Sequence, residues 1–167
     1  IDSVASFSTS CPPSVNITMI PDTNFEQALI NLGYDSGTPN GYVLTEQIDT
    51  VTHLYIANIN ISDLTGIEDF TALTLLECPH NQLSSLDLSQ NLLLDTLDCG
   101  YNQITDLDVS NNTALKTLLC DVNPTLTSID VSQNTSLEFL SCHSSQLNIL
   151  DVSNNTALRS LLCYNNR

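Results

Sequence analysis

Cysteines recur at Cys78, Cys99, Cys120, Cys142 and Cys163, with gaps of 21, 21, 22 and 21 residues. A near-constant period of about 20–25 residues predicts a solenoid, in which one supersecondary unit is copied and stacked. Aligned on the cysteines, the units begin at Leu73, Leu94, Leu115, Leu137 and Leu158, and share the frame L-x-x-L-x-C-x-x-N-x-L-x-x-L-D-V-S-x-N. Leu76 and Cys78 alternate with more polar neighbours, the period-two pattern of a strand with one buried face. Leu83, Leu86 and Leu88 supply a second inward-facing segment. One unit cannot bury its apolar side alone, whereas stacked units share a continuous core. Such a fold works by presenting an extended face, so function is to be sought there.

An asparagine column, Asn81, Asn102, Asn123 and Asn166, stands where the chain must turn away from each strand. A carboxamide at that point can bond main-chain groups of the neighbouring coils that a buried turn would leave unpaired. Ser145 interrupts the column, which predicts a looser fourth coil, and Pro124 marks the bulge of the repeat that is one residue longer. An earlier unit, residues 51–72, fits the frame with Ile56 at the cysteine position and Ile59 at the asparagine position. Together these columns resemble the leucine-rich repeat, with cysteine in place of the middle strand leucine. The stretch ISDLTGIEDFTAL, residues 61–73, is similar to the internalin-type bacterial subclass. The resemblance implies an α/β-type solenoid with parallel strands on its concave face, few regular helices on its convex side, and an N-terminal helical cap.

The expected organisation is a flexible lead-in over 1–17, a cap over 18–50, and a solenoid of about five and a half coils over 51–167. In the cap, Thr23-Asn24-Phe25-Glu26 reads as a capping box opening a helix over about 23–32. Phe25, Ala28, Leu29 and Leu32 are its apolar positions and Gly33 its stop. The chain stops in mid-repeat at Arg167 without a polar capping unit. That predicts a fragment of something longer, and association through an uncapped C-terminal edge.

Nineteen acidic residues against three basic ones give a formal net charge of −16. Phosphate recognition needs clustered Lys and Arg, so nucleic acid is excluded as a partner. No run of 18 apolar residues exists, so membrane insertion is not expected. Acidic repeats rich in Asn, Thr and Ser resemble secreted or cell-surface proteins of Gram-negative environmental bacteria, which implies that localisation.

The cysteine ladder predicts small buried hydrophobes, not disulfides. Parallel in-register side chains point the same way and do not reach the S–S dihedral a disulfide needs. Cys11 lies outside the ladder. A second ladder, Asp87, Asp108, Asp130 and Asp151, faces outward. Each Asp is expected to bond the turn that follows it, and a Ca²⁺ stripe is the alternative. No other cofactor is implied. The loop from Asp35 to Gly41 fits an ordinary turn better than an EF-hand, since its glycine comes one residue late. Zinc is excluded: the three histidines sit on separate coils, and His53 and His143 would stand about 19 Å apart at the strand spacing.

The strand positions between the buried columns line the concave face, and there the repeat stops being monotonous. All three histidines and three of the five tyrosines fall on it. Tyr55, Glu77, His80, Asp98, Tyr101, Phe139, His143 and Tyr164 are the candidate contacts for a protein or glycan partner. No nucleophile–base pair can be placed at hydrogen-bond spacing and no phosphate loop occurs, so an enzyme is not expected. The alternative function is a structural spacer or stalk without a ligand of its own.

Overall fold

The computed structural model describes residues 15–167. Residues 1–14, Cys11 among them, lie outside that range. Strand β1 (Ile17–Met19), helix α1 (Thr23–Leu32) and strand β2 (Tyr42–Leu44) come first. Six strands follow: β3 (His53–Tyr55), β4 (Leu75–Glu77), β5 (Thr96–Asp98), β6 (Thr117–Leu119), β7 (Phe139–Ser141) and β8 (Ser160–Leu162). β1 and β2 pair antiparallel, with Ile17 opposite Leu44, so regular pairing begins at the last residue of the expected lead-in. β3 to β8 form one parallel sheet in chain order. Its register is the one the repeat alignment predicts: Leu76 lies opposite Leu97, Leu97 opposite Leu118, and Leu118 opposite Leu140. The convex side is built of turns, with one short 3₁₀ segment at Ile67–Asp69. This is a parallel-strand leucine-rich repeat solenoid.

Its core is columnar. Leu76, Cys78, Leu83 and Leu88 are shut off from solvent, as are their counterparts Leu97, Cys99, Ile104 and Val109 one coil on. The ladder cysteines are free thiols. Cys78 Sγ donates to the Asp98 carbonyl at 3.4 Å and Cys120 Sγ to that of Ser141 at 3.5 Å. Burial pushes the thiols of Cys78, Cys99 and Cys120 well above the ordinary range, and that of Cys142 up to about 11. Cys163, on the last coil of the chain, is exposed, contrary to the expectation of five buried positions.

The asparagine column does what its position demands. Asn102 Oδ1 accepts from the Leu83 N–H at 3.0 Å, while its Nδ2 donates to the carbonyls of Cys78, Cys99 and Gly100 at 3.1 Å. Each carboxamide thus ties its own turn to the coil before it. At the break, Ser145 is buried and its Oγ accepts only from the Asn123 N–H, at 3.4 Å. The looseness expected there has a specific compensation. The extra residue beside Pro124 turns the chain so that Leu126 N–H finds the Asn123 carbonyl at 3.0 Å, in place of the missing carboxamide.

The convex side holds a second set of inward carboxamides: within its Ser/Asn/Thr/Asp segments, Asn91, Asn112, Asn134 and Asn155 are buried. Each donates twice to the preceding coil; Asn112 Nδ2, for example, reaches the carbonyls of Leu88 at 3.1 Å and Asn91 at 3.0 Å. Their Oδ1 atoms have no partner among the described residues.

Helix α1 has the expected limits, with Gly33 left-handed at φ 83° closing it. Its start is not the expected capping box. Asp22 is the N-cap, its Oδ1 accepting from Asn24 N–H at 2.9 Å and Phe25 N–H at 3.1 Å. Its Oδ2 accepts from Ser62 N–H and Oγ, both at 2.8 Å, which fastens the helix to the first coil. Glu26 does not turn back to the helix start. It is buried, and its two oxygens take the N–H groups of Asn40 at 2.6 Å and Gly41 at 2.8 Å, clamping the loop that leads into β2. A carboxylate with two main-chain donors offsets its desolvation better there than in a box at the exposed helix end.

Candidate functional site

The sheet register sets the concave face out as rows. One row reads Tyr55, Glu77, Asp98, Leu119, Ser141 and Leu162 across the six strands. Just beyond the strands, the residue two places after each ladder position adopts a left-handed conformation: Asn58, His80, Tyr101, Val122, Ser144 and Asn165 all have φ between 52° and 57°. That conformation lets the N–H groups continue the coil-to-coil ladder, as in His80 to the Gly100 carbonyl at 3.1 Å and Tyr101 to that of Asp121 at 2.9 Å. Asn fills this conformation readily, whereas bulky residues are strained there, at about 1–2 kcal/mol each. Every coil adopts it, Val122 included, because the main-chain ladder demands it, and it sets the His80 and Tyr101 side chains side by side on neighbouring coils.

Those side chains meet. The rings of His80 and Tyr101 stack with centroids 4.1 Å apart, and those of His143 and Tyr164 stack at 4.4 Å, nearly parallel at 8°. Tyr101 and Tyr164 remain about half exposed. Carboxylates line the same strip: Glu77 and Asp98 on the coils of the first stack, and Asp121 on the coil between the two stacks. Glu77 and Asp98 are register neighbours. Asp121, on the next coil, is buried, accepting from Ser141 Oγ at 3.1 Å and lying 3.5 Å from His143 Nε2. Asp121 carries this arrangement yet is not among the residues singled out from the sequence; its place beside Gly100 and His143 in the alignment is the signal that could have found it. Gly100 leaves room for it, since a Cβ there would lie 3.4 Å from an oxygen of each of Asp98 and Asp121. Of the remaining candidates, Phe139 is half-buried at the start of β7, and Tyr55 stands apart at the cap end of the face.

Electrostatically the strip is one-signed. The three basic residues are engaged elsewhere: Lys116 with Asp95 at 3.4 Å, Arg159 with Glu138 at 3.4 Å, and Arg167 with Gln146. Burial, then the neighbouring Asp121 and Glu77 carboxylates, hold Asp98 above the usual carboxylate range despite the bond from Gly100 N–H. The outward column behaves oppositely. Asp87, Asp108, Asp130 and Asp151 each accept from the serine two residues on, and those bonds hold all four below the usual range. Those turn bonds are the ones the sequence predicts. Among the described residues, no group of three or more His, Cys, Asp or Glu side chains is placed to hold a metal ion.

The two sets of carboxylates therefore respond to acid in opposite senses. The outer four stabilise the fold above their unfolded values, and that contribution is lost as pH falls through their lowered folded values. Asp98 contributes fully below its unfolded value, and that contribution is lost as pH rises through its raised folded value. Asp98→Asn keeps an acceptor for Gly100 N–H and removes the charge. Its melting temperature is expected to exceed the parent's by about 1–3 °C at pH 7, with the gap closing near pH 4. A variant melting below the parent at pH 7 would show that the carboxylate is stabilising instead.

No protein-family model matches the chain. Over 71 residues, 42% of its length, it is 41% identical to Internalin J of Listeria monocytogenes serotype 4b (strain F2365), of which it covers 8%. It superposes on the solved functional domain of InlJ from Listeria monocytogenes, described as including a cysteine ladder, with a TM-score of 0.81 and 40% identity. That match covers 89% of this chain and 33% of the solved one. Internalin C2 of Listeria monocytogenes str. 4b F2365 shares the fold at a TM-score of 0.76 and 21% identity, over 89% of this chain and 67% of that one. The chain thus spans a third or less of the two more similar relatives. All three are from Listeria monocytogenes, so they lend nothing to a Gram-negative source.

Proposed function

Starting from a chain that is an internalin-like leucine-rich repeat protein, we propose that it is a non-enzymatic binding module of a secreted or cell-surface bacterial protein. It takes a macromolecular partner on its concave face, and a protein with a Lys- or Arg-bearing contact segment fits that face best. The observation that carries this reading is a strip of two His–Tyr stacks, with Glu77 and Asp98 beside the first and Asp121 between the two. Stacked rings offer rigid apolar area and π faces that attract cations. The carboxylates beside them steer and orient a positive segment. Against the sequence expectation, a hydroxyl and a base do meet: His143 Nδ1 pairs with Ser144 Oγ at 3.1 Å, and His143 Nε2 lies 3.5 Å from Asp121. The non-enzymatic reading rests on the binding face and the internalin likeness, not on this cluster.

The test is binding to a panel of candidate surface proteins and glycans, alongside a Tyr101→Ala/Phe139→Ala/His143→Ala variant with an unchanged circular dichroism spectrum. A protein hit is expected to weaken at least about tenfold in the variant, with an on-rate that falls as salt rises. A glycan hit lost in the same variant would keep the face and change the partner class. Equal binding by parent and variant, or no hit at all, would leave the spacer reading in its place.

A further inference from the structure

At the cap end of the concave side, a groove of about 270 Å³ runs between helix α1 and the first coil. One wall is the exposed flank of the helix, with the carboxamides of Asn24, Gln27 and Asn31. The helix also contributes the apolar Leu32 (44% exposed), and the facing wall from the first coil is apolar: Tyr55 (54% exposed), Ala57 and Ile59. In a chain carrying −16, none of the lining side chains is charged. The carboxamides are only partly used. Gln27 Nε2 donates to Asn31 Oδ1 at 3.1 Å and Asn24 Nδ2 to the Asn60 carbonyl at 3.0 Å. Among the described residues, Gln27 Oε1 and Asn24 Oδ1 are left as acceptors and the Asn31 amide group as a donor of two N–H groups.

We propose that this groove is a saccharide subsite, taking one neutral pyranose ring with a C–H face on Tyr55 and hydroxyls on the helix carboxamides. A hydroxyl both donates and accepts, so it can satisfy a carboxamide oxygen and its neighbouring amide together. An aliphatic ligand would bury those groups unpaired, at a cost of about 1–3 kcal/mol each. An anionic ligand would find no counter-ion there. The C–H face of a pyranose is apolar and slightly positive, and it matches the negative π face of a half-exposed tyrosine. The volume lies below the roughly 300–1,000 Å³ of sites that enclose drug-sized ligands, so it suits a single ring. This subsite does not rest on the protein-partner reading, because it lies at the opposite end of the face from the His143–Tyr164 stack.

Saturation-transfer NMR with glucose, galactose, mannose and N-acetylglucosamine, followed by calorimetric titration of any hit, tests it. At least one sugar is expected to bind with a Kd of about 1–10 mM. Tyr55→Ala is expected to weaken it about tenfold and Gln27→Ala/Asn31→Ala about fivefold, while Tyr55→Phe and the Tyr101/Phe139/His143 triple variant retain it. Every substituted side chain in the first two variants is exposed, and unchanged melting curves would confirm that the fold survives. No transfer to any of the four sugars at 10 mM, about tenfold above a 1 mM Kd, would overturn the proposal. So would binding lost in the triple variant but kept in Tyr55→Ala, which would move the sugar to the His–Tyr strip and support the concave-face reading instead.

Discussion

Asn102→Ala is expected to destabilise the protein by about 3–4 kcal/mol. The four bonds of this carboxamide do not count equally. The carbonyls of Cys78 and Cys99 each retain a second carboxamide donor, from Asn81 and Asn123, and that of Gly100 retains the His80 N–H. Leu83 N–H has Asn102 Oδ1 as its acceptor and is left bare in a buried turn. The cost is thus one unsatisfied buried donor at about 1–3 kcal/mol, together with three weakened acceptors and a small void. Urea denaturation of the variant measures it directly, and Ser145→Ala is the matched comparison. Ser145 accepts one long bond, and the Asn123 carbonyl already serves Leu126 N–H. That substitution should cost no more than about 1 kcal/mol. If the two variants lost similar stability, or Asn102→Ala lost under about 1 kcal/mol, the column would be ornament to a fold held by its leucines.

The second large effect is expected at Gly66, where the cap crosses the first coil. Its φ is +102° and its ψ −13°, a conformation open to glycine and strained for a residue with a side chain. Space is also lacking. A Cβ at this position would lie 2.6 Å from the Met19 carbonyl oxygen, 3.1 Å from Thr18 Cγ2, and in collision with Ile20 Cδ1. Backbone strain of about 1–3 kcal/mol and a similar overpacking term predict a loss of about 3–5 kcal/mol for Gly66→Ala. The damage should be local, because β1 must lift away from the coil it covers while the later coils keep their neighbours. Hydrogen-exchange mass spectrometry should show faster exchange across residues 15–50 and little change beyond residue 94. Unaltered cap protection in a variant as stable as the parent would refute this account.

How much of this could be read from the residues differs from place to place. The strand register follows from the cysteine spacing alone, because a period-two strand repeated every 21 or 22 residues leaves one way to stack its buried columns. Helix α1 was legible from the spacing of Phe25, Ala28 and Leu29 and from Gly33. Its cap was not, because Asp22 is chosen by Ser62, 40 residues away, and Glu26 by the N–H groups of Asn40 and Gly41. The buried Asn91, Asn112, Asn134 and Asn155 form the last column of the repeat frame, but the column does not say which way their side chains point. Coil closure alone shows that they point inward.

On the candidate face, the alignment placed His80 beside Tyr101 and His143 beside Tyr164 as column neighbours. It could not say that their rings stack, nor that Asp121 gathers Ser141 and His143 around one buried carboxylate. Nor did Tyr55 show its separate setting, since the groove it helps form needs the helix flank folded against the first coil. Whatever repetition dictates is legible in the chain: the parallel sheet, the columns of the core and the carboxamides at each turn. The contacts made once per molecule, at the cap and among the side chains of the concave strip, emerge only in the folded coils. A repeated interaction leaves a periodic mark in the chain. A single contact between residues far apart leaves none, and is settled by which polar groups must find partners when the coils close.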